Sequence, residues 1–330
     1  MAWNEKDVLV TGAAGFIGSN LAGMLADEGA RVRAFVHYNS RGDWGNLRFL
    51  TDEQMRRVTV TMGNVEDSGS VAGVVEGCDC VFHLAALIGI PYSYAAPRSY
   101  VATNIFGTMN LLDAVRRFDV PRMVHTSTSE AYGTALYEPI DEKHPLQGQS
   151  PYSASKIGAD KIVESYFKSF DVPVATLRPF NTYGPRQSAR AVIPTVISQL
   201  LAGSDVVELG SLTPERDLTF VGDTARGFMA IAECDAAVGE TVNVGNGRSI
   251  SIGALAQKIV EMTNPSARIV SRESRVRPDK SEVMKLICDN SKAKSLMGWE
   301  PSVSLDEGLA LTIEFVREHP DLYRPEEYAV

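Results

Sequence analysis

One segment constrains this chain more than any other: Asp7-Val8-Leu9-Val10-Thr11-Gly12-Ala13-Ala14-Gly15-Phe16-Ile17-Gly18. A short apolar run of strand character ends directly in a glycine-rich loop, and a helical stretch from Ile17 to Glu28 follows. Glycine permits a tight turn, close approach of a pyrophosphate to the backbone, and close helix–strand packing. The helix start then offers free N–H groups and its positive dipole end to the same point. Placed after an N-terminal strand and before a helix, Gly12, Gly15 and Gly18 predict a dinucleotide-binding turn, which needs a parallel sheet to sit in.

The first half of the chain supplies that sheet. Val32 to Val36, Val58 to Val60, Val81-Phe82, Met123-Val124 and Val174 to Leu177 read as strands. They alternate with helical stretches such as Asn104 to Arg117 and 151 to 170. This spacing gives βαβ units. The expected fold class is α/β, a Rossmann-type doubly wound parallel sheet over residues 1–180, with a smaller ligand-binding lobe over 181–330 that returns some strands to the sheet. In the lobe, helices are expected at 191–201, 223–234, 252–261 and 305–316, and strands at 205–209 and 241–244. The 330 residues carry 32 basic and 41 acidic side chains, net −9, which argues against a nucleic-acid or membrane-surface binder. Glu5-Lys6-Asp7 stands where a secretory signal needs apolar residues, and no run of 18 apolar residues follows. Cys78, Cys80, Cys234 and Cys288 lack a C-x-x-C pair or metal spacing, so a cytoplasmic protein with free thiols and no metal site is expected.

Cofactor choice is open at this level. The second strand ends Phe35-Val36-His37-Tyr38-Asn39-Ser40-Arg41, without the carboxylate that binds a ribose 2′-hydroxyl. Asn39 suits a hydroxyl and Arg41 a 2′-phosphate, so NAD and NADP both stand. Chemistry is expected at Ser150-Pro151-Tyr152-Ser153-Ala154-Ser155-Lys156, where a serine cap and a proline at the first position start a helix. Tyr152 and Lys156 then share a face. A lysine cation and an oxidised nicotinamide favour the phenolate of a tyrosine base. Thr128 and Glu130, in the polar loop after the Met123-Val124 strand, suit a hydrogen bond to a reacting oxygen and a proton transfer.

Together, Thr11-Gly12-x-x-Gly15-Phe16-Ile17-Gly18, His83-Leu84-Ala85-Ala86, Tyr152-x-x-x-Lys156 and Arg178-Pro179-Phe180-Asn181-x-Tyr183-Gly184-Pro185 resemble the extended short-chain dehydrogenase/reductase family of nucleotide-sugar enzymes. The similarity runs from about residue 6 to 315. Thr128-Ser129-Glu130, before Ala131-Tyr132-Gly133, looks like the active-site triplet of 4,6-dehydratases, closest to the GDP-mannose type. His37 to Ser40, Gln147 to Pro151 and Arg186 to Arg190 are similar to dehydratases of nucleotide-activated N-acetylglucosamine in legionaminic-acid-type pathways. The resemblance implies cofactor contacts from Gly12, Gly15, Phe16, Ile17, Gly18, His37, Asn39, Arg41, Asn64, Val65, Leu84, Ala85, Ala86, Tyr152, Lys156 and Pro179. Asn64 stands where the family usually has Asp. For the substrate it implies Ser93, Tyr94, Thr128, Asn181, Arg190, Arg216 and Arg277, and for His83 a structural hydrogen bond.

The implied reaction oxidises C4 with Tyr152, Lys156 and Thr128, removes the C5 proton with Glu130 as water leaves C6, and returns the hydride to C6. The cofactor is tightly bound and recycled. Glucose-type dehydratases carry Asp where this chain has Ser129, leaving Glu130 acting twice, or Ser129 through a water, as general acid. C4 epimerisation and uronic-acid decarboxylation are the alternatives within the family, and a nicotinamide-sensing regulator lies outside it. An epimerase has no need of Glu130, and a sensor has no need of Tyr152, Lys156, Thr128 and Glu130 together. A homodimer through helices 104–117 and 152–170 is also implied.

Overall fold

Strands this uniformly apolar must be covered on both sides. The computed structural model, which describes residues 3–272 and 283–323, covers them with helices on two faces. In chain order the strands are β1 Asp7–Thr11, β2 Arg31–His37, β3 Val58–Gly63, β4 Cys80–His83, β5 Met123–Thr126, β6 Val174–Pro179, β7 Asn181–Tyr183, β8 Val206–Leu209, β9 Glu215–Phe220 and β10 Thr241–Val244. Seven of them form one parallel sheet in the order β10-β6-β5-β4-β1-β2-β3. The direction of winding reverses between β1 and β4, where open α/β sheets leave a crevice at their carboxyl ends.

Alternation along the strands divides the core. Val8, Val10, Phe82, Val124 and Leu177 pack with Leu21 and Leu25 of helix Phe16–Asp27 and with Phe228 and Ile231 of helix Val221–Glu233. Leu9, Val81, Met123 and Val174 face the other way, against Val71, Leu111 and Val163 of helices Ser68–Val75, Gly107–Arg117 and Pro151–Phe170.

Beyond β6 a second core forms around Tyr183, Ile193, Val196, Leu209, Leu218, Leu255, Ile259, Leu309 and Ile313. Short strands frame it: β11 Ser249–Ser251, β12 Arg268–Ser271 and β13 Lys285–Leu286, with β9 between β11 and β13 and paired to β7 as well. The sequence offers β9 no clear strand pattern because Glu215, Arg216 and Asp217 open it, yet Arg216 and Asp217 are buried. Residues 221–244 return to the main sheet as a covering helix and the edge strand β10. The stretch expected as a helix from Asn104 begins instead as a π-helical turn, Val101–Phe106, before Gly107.

Candidate active site

The glycine loop is held by contacts that exclude side chains. Gly12 sits at φ +69, and a Cβ there would lie 2.8 Å from the Ala85 nitrogen; one on Gly18 would lie 2.3 Å from the Gly12 carbonyl oxygen. Gly15 precedes helix Phe16–Asp27 and offers no side-chain cap. Thr11 Oγ1 accepts the N–H groups of Leu84 and Ala85 at 3.1 Å each and lies 2.9 Å from His83 Nδ1. His83 Nε2 stands 3.0 Å from Thr108 Oγ1, whose own hydrogen goes to the Asn104 carbonyl. Nε2 is therefore the donor and Nδ1 the acceptor. Burial drives the His83 pKa well below its ordinary value, so the ring is a neutral strut between the ends of β1 and β4. These residues fit a dinucleotide: a turn with no room for a Cβ, beside a helix start whose N–H groups lack a side-chain cap.

Around that turn, His37 and Arg41 are exposed. The Asn39 amide closes its own loop, donating to the Asp43 carbonyl at 2.8 Å and accepting the Asp43 N–H at 2.9 Å. That loop reaches the glycine turn through Asn46, whose N–H donates to the Ala14 carbonyl at 3.0 Å. Asn64 accepts the Glu66 N–H at 3.1 Å, and Val65 is buried where a Cβ on Gly107 would lie 2.9 Å away. Leu84, Ala85 and Ala86 are half-buried beside Gly12, and Pro179 closes β6.

Ser150 and Ser153 form a capping box at the start of helix Pro151–Phe170, with Pro151 first. Tyr152 and Lys156 both lie in the interior, 7% and 4% exposed. The Thr128 hydroxyl lies beside the Tyr152 phenol and favours its ionisation. Thr128 is extended (φ −155) and caps the turn Ser129–Tyr132, Oγ1 lying 3.3 Å from the Glu130 N–H. This brings Thr128, Glu130, Tyr152 and Lys156 to one place, with Ser129 buried in the turn between them.

The electrostatics differ from the sequence expectation in one respect. Burial raises the Tyr152 phenol pKa; the Thr128 hydroxyl opposes this, while Glu130, Asp160 and Tyr100 reinforce it. Burial likewise lowers Lys156 to about 8, countered by Asp160 and assisted by Arg178. Desolvation outweighs charge pairing at both groups.

Two contributors escape the sequence reading, and a third, Arg178, stands in it only as part of a motif without a role. Asn104 bridges the Leu87 backbone (N–H to Oδ1 2.8 Å, Nδ2 to O 3.0 Å) and donates to Ser155 Oγ at 2.9 Å. A lone amide among apolar neighbours in a helical stretch is its only sequence trace. Asp160 and Arg178 form the second and third: Asp160 contacts His125 Nε2 at 3.0 Å and accepts from Ser127 Oγ at 2.5 Å and Arg178 Nη2 at 2.8 Å. Arg178 also donates to Ser127 Oγ at 3.0 Å and Tyr132 Oη at 2.7 Å.

On the lobe side, Asn181 lies on β7 with Oδ1 buried and unpartnered, a polar atom suited to a ligand donor. Arg216 is buried on the adjoining β9, with Nη1 donating to the Glu215 carbonyl at 2.9 Å. Arg190 is exposed near Gly89, where a Cβ would lie 3.7 Å from its Nη1. Tyr94 is exposed, whereas Ser93 is fully buried and spends its hydroxyl on the Ile90 carbonyl at 2.6 Å. Arg277 lies outside the described residues. Among the described residues no three His, Cys, Asp or Glu side chains gather as metal ligands, and no helix is long and apolar enough to cross a membrane.

Comparison with known proteins agrees with this geometry. A family model described as GDP-mannose 4,6 dehydratase matches residues 9–312. A dTDP-glucose 4,6-dehydratase of Actinoplanes sp. is 34% identical over 316 residues, covering 94% of this chain and 97% of that one. A UDP-glucose 4-epimerase of Mycolicibacterium smegmatis is 32% identical over 314 residues, covering 94% and 98%. The solved structure of a double mutant of DesIV, a dTDP-glucose 4,6-dehydratase from Streptomyces venezuelae with NAD and DAU bound, superposes with a TM-score of 0.85 at 29% identity, covering 97% and 99%. With its glycine turn, its Tyr152–Lys156 helix and its Thr128–Glu130 turn brought to one crevice, the chain belongs to the GDP-mannose 4,6-dehydratase family, within the extended short-chain dehydrogenase/reductases.

Proposed function

We propose that the protein is a nucleotide-sugar 4,6-dehydratase that converts an NDP-hexose, NDP-N-acetylglucosamine in the first instance, to its 4-keto-6-deoxy form. The observation that carries this reading is the Thr128–Glu130 turn facing Tyr152. One hydroxyl lies beside the phenol and favours its ionisation, and a half-buried carboxylate follows two residues on.

NAD or NADP, when bound, supplies a hydride acceptor for C4, returns that hydride at C6, and brings a positive charge beside the phenol. Gly12, Gly15, Phe16, Ile17 and Gly18 hold the pyrophosphate. His37, Asn39, Arg41, Asn64 and Val65 line the adenosine end, and Leu84, Ala85, Ala86 and Pro179 the crevice floor. Tyr152 takes the C4 hydroxyl proton, Thr128 holds the same oxygen, and Lys156 keeps a cation behind the phenol. The ketone acidifies C5–H. Glu130 removes that proton as hydroxide leaves C6, and a proton returns to C5 when C6 is reduced. Glu130 acting a second time, or Ser129 through a water, protonates the leaving hydroxide. Asn181, Arg190, Arg216 and Arg277 bind the diphosphate and ribose, and Tyr94 the hexose. Ser93 acts by shaping the segment that carries Tyr94, since its hydroxyl is already engaged.

The acetamido sugar is supported by the resemblance of the segments at 37–40, 147–151 and 186–190, and the 181–330 lobe is read as the part that grips it. Glu130 favours dehydration over C4 epimerisation, which needs no such carboxylate. We also read the protein as a cytoplasmic homodimer, supported by its four free thiols and by Val101, Phe106 and Phe170, apolar and exposed near the two implied helices. Incubation with UDP-, GDP-, CDP- and dTDP-activated hexoses and N-acetylhexosamines tests the proposal. The expected result is loss of one water from an N-acetylglucosamine substrate. Stereochemical inversion without water loss overturns it.

A further inference from the structure

Tyr152, Lys156 and Asp160 follow one another at four-residue intervals on helix Pro151–Phe170, so one face carries a phenol, an ammonium and a carboxylate in sequence. Asp160, itself 8% exposed, sits in a fully buried cluster. His125 of β5 meets its Oδ1, while Ser127, just after β5, and Arg178 of β6 meet its Oδ2. Arg178 donates onward to Tyr132, whose hydroxyl donates to Asn243 Oδ1 on β10 at 2.8 Å. The guanidinium also lies 4.6 Å from the Tyr132 ring centre. Ser127 directly precedes Thr128, and Tyr132 ends the turn that carries Glu130.

Resting on the reading of Tyr152, Lys156, Thr128 and Glu130 given above, we propose that Asp160 and Arg178 are positioning residues of this site. They lock the Tyr152–Lys156 helix to the Thr128–Glu130 turn and flank the Lys156 ammonium with one anion and one cation.

Two physical arguments favour this over a purely structural ion pair. Buried ion pairs rarely add more stability than well-packed apolar residues of similar volume, so a carboxylate with three buried partners is poorly explained by stability alone. A network satisfied at this many points instead fixes relative geometry, and here every tie ends on the helix or on a residue bordering the catalytic turn. The charges around Lys156 also act in opposite senses. Asp160 favours its ammonium form, whereas Arg178 and burial disfavour it. The other titratable groups facing it are Tyr152 on its own helix, His125 on β5 and His83 on β4. Both histidines are held neutral by burial, with His125 lowered to about 4, so Asp160 and Arg178 are the charges that can be varied.

The test uses the full chain and two readouts. In protein labelled with carbon-13 lysine, the Lys156 Cε resonance, assigned by its loss in Lys156→Arg, is titrated without substrate. Asp160→Asn is expected to lower the midpoint by about one pH unit and Arg178→Gln to raise it by a similar amount. Shifts in the same direction, or none, overturn the proposal, because damage to the fold alone does not produce opposite signs. Ser127→Ala keeps both charges and cuts two ties, so it covers the case in which a charge variant does not fold. It is expected to lower kcat roughly ten- to hundredfold with KM unchanged. An unaltered kcat, or a loss confined to KM, overturns the positioning role. If the wild-type protein dehydrates no nucleotide sugar, the functional reading fails, while the titration still judges Asp160 and Arg178.

Discussion

At the scale of single residues, the site rests on groups that burial has moved away from their ordinary ionisation. Glu130→Gln keeps the size and hydrogen-bonding capacity of the side chain but removes its basicity. Cofactor and nucleotide-sugar affinities should stay within about twofold, while dehydration falls by roughly 10²–10⁴, read as the rate of water loss by mass spectrometry. Tyr152→Phe should stop the reaction earlier, with no transient reduced-nicotinamide absorbance on mixing with substrate. Lys156 gives a stability prediction whose sign is fixed by linkage. Its folded pKa of about 8 lies below the ordinary lysine value of 10.5, so between these limits the unfolded chain binds the extra proton. The penalty is complete below pH 8 and fades as pH rises toward 10.5. Lys156→Met should therefore be more stable than wild type at pH 7 by up to a few kcal/mol in urea unfolding, with the gap closing at high pH, although the enzyme is inactive.

Local grammar made whole elements legible. Helix Pro151–Phe170 matches the sequence expectation end to end because Ser150 and Pro151 write its start explicitly, and β10 is likewise matched residue for residue. β7 and β9 were not legible. They are short, and Asn181, Arg216 and Asp217 look like loop residues until neighbouring strands bury them. The glycines show how differently one residue type serves two elements. Gly18→Ala drives a Cβ to 2.3 Å from the Gly12 carbonyl and should abolish cofactor binding and lower the melting temperature. Gly73→Ala, in helix Ser68–Val75, meets no atom within 4 Å and should stabilise the protein by about 1 kcal/mol, measured by thermal unfolding.

For the whole molecule, the arrangement places a parallel sheet under the glycine turn and a separately cored lobe beyond β6, the part proposed to hold the sugar. Phe106 and Val101, 55% and 42% exposed, lie beside the helix proposed to meet a second copy. Phe106→Glu should convert the proposed dimer to a monomer in sedimentation analysis, and an unchanged mass would remove this face from the interface.

What the amino-acid order determined alone was whatever depends on neighbours in the chain: the glycine turn after β1, the four-residue spacing of Tyr152 and Lys156, and the strand–helix rhythm that demands a parallel sheet. Such features are set by backbone sterics and helical pitch, which act over a few residues. Only the tertiary structure decided that Tyr152 is harder to ionise inside the protein than in water, and that Ser93 and Asn39 spend their side chains on nearby backbone. It also joined Asp160 to Arg178 and His125 behind the site. Those outcomes follow from desolvation and from contacts between segments far apart in the chain, and neither quantity exists until the sheet has assembled.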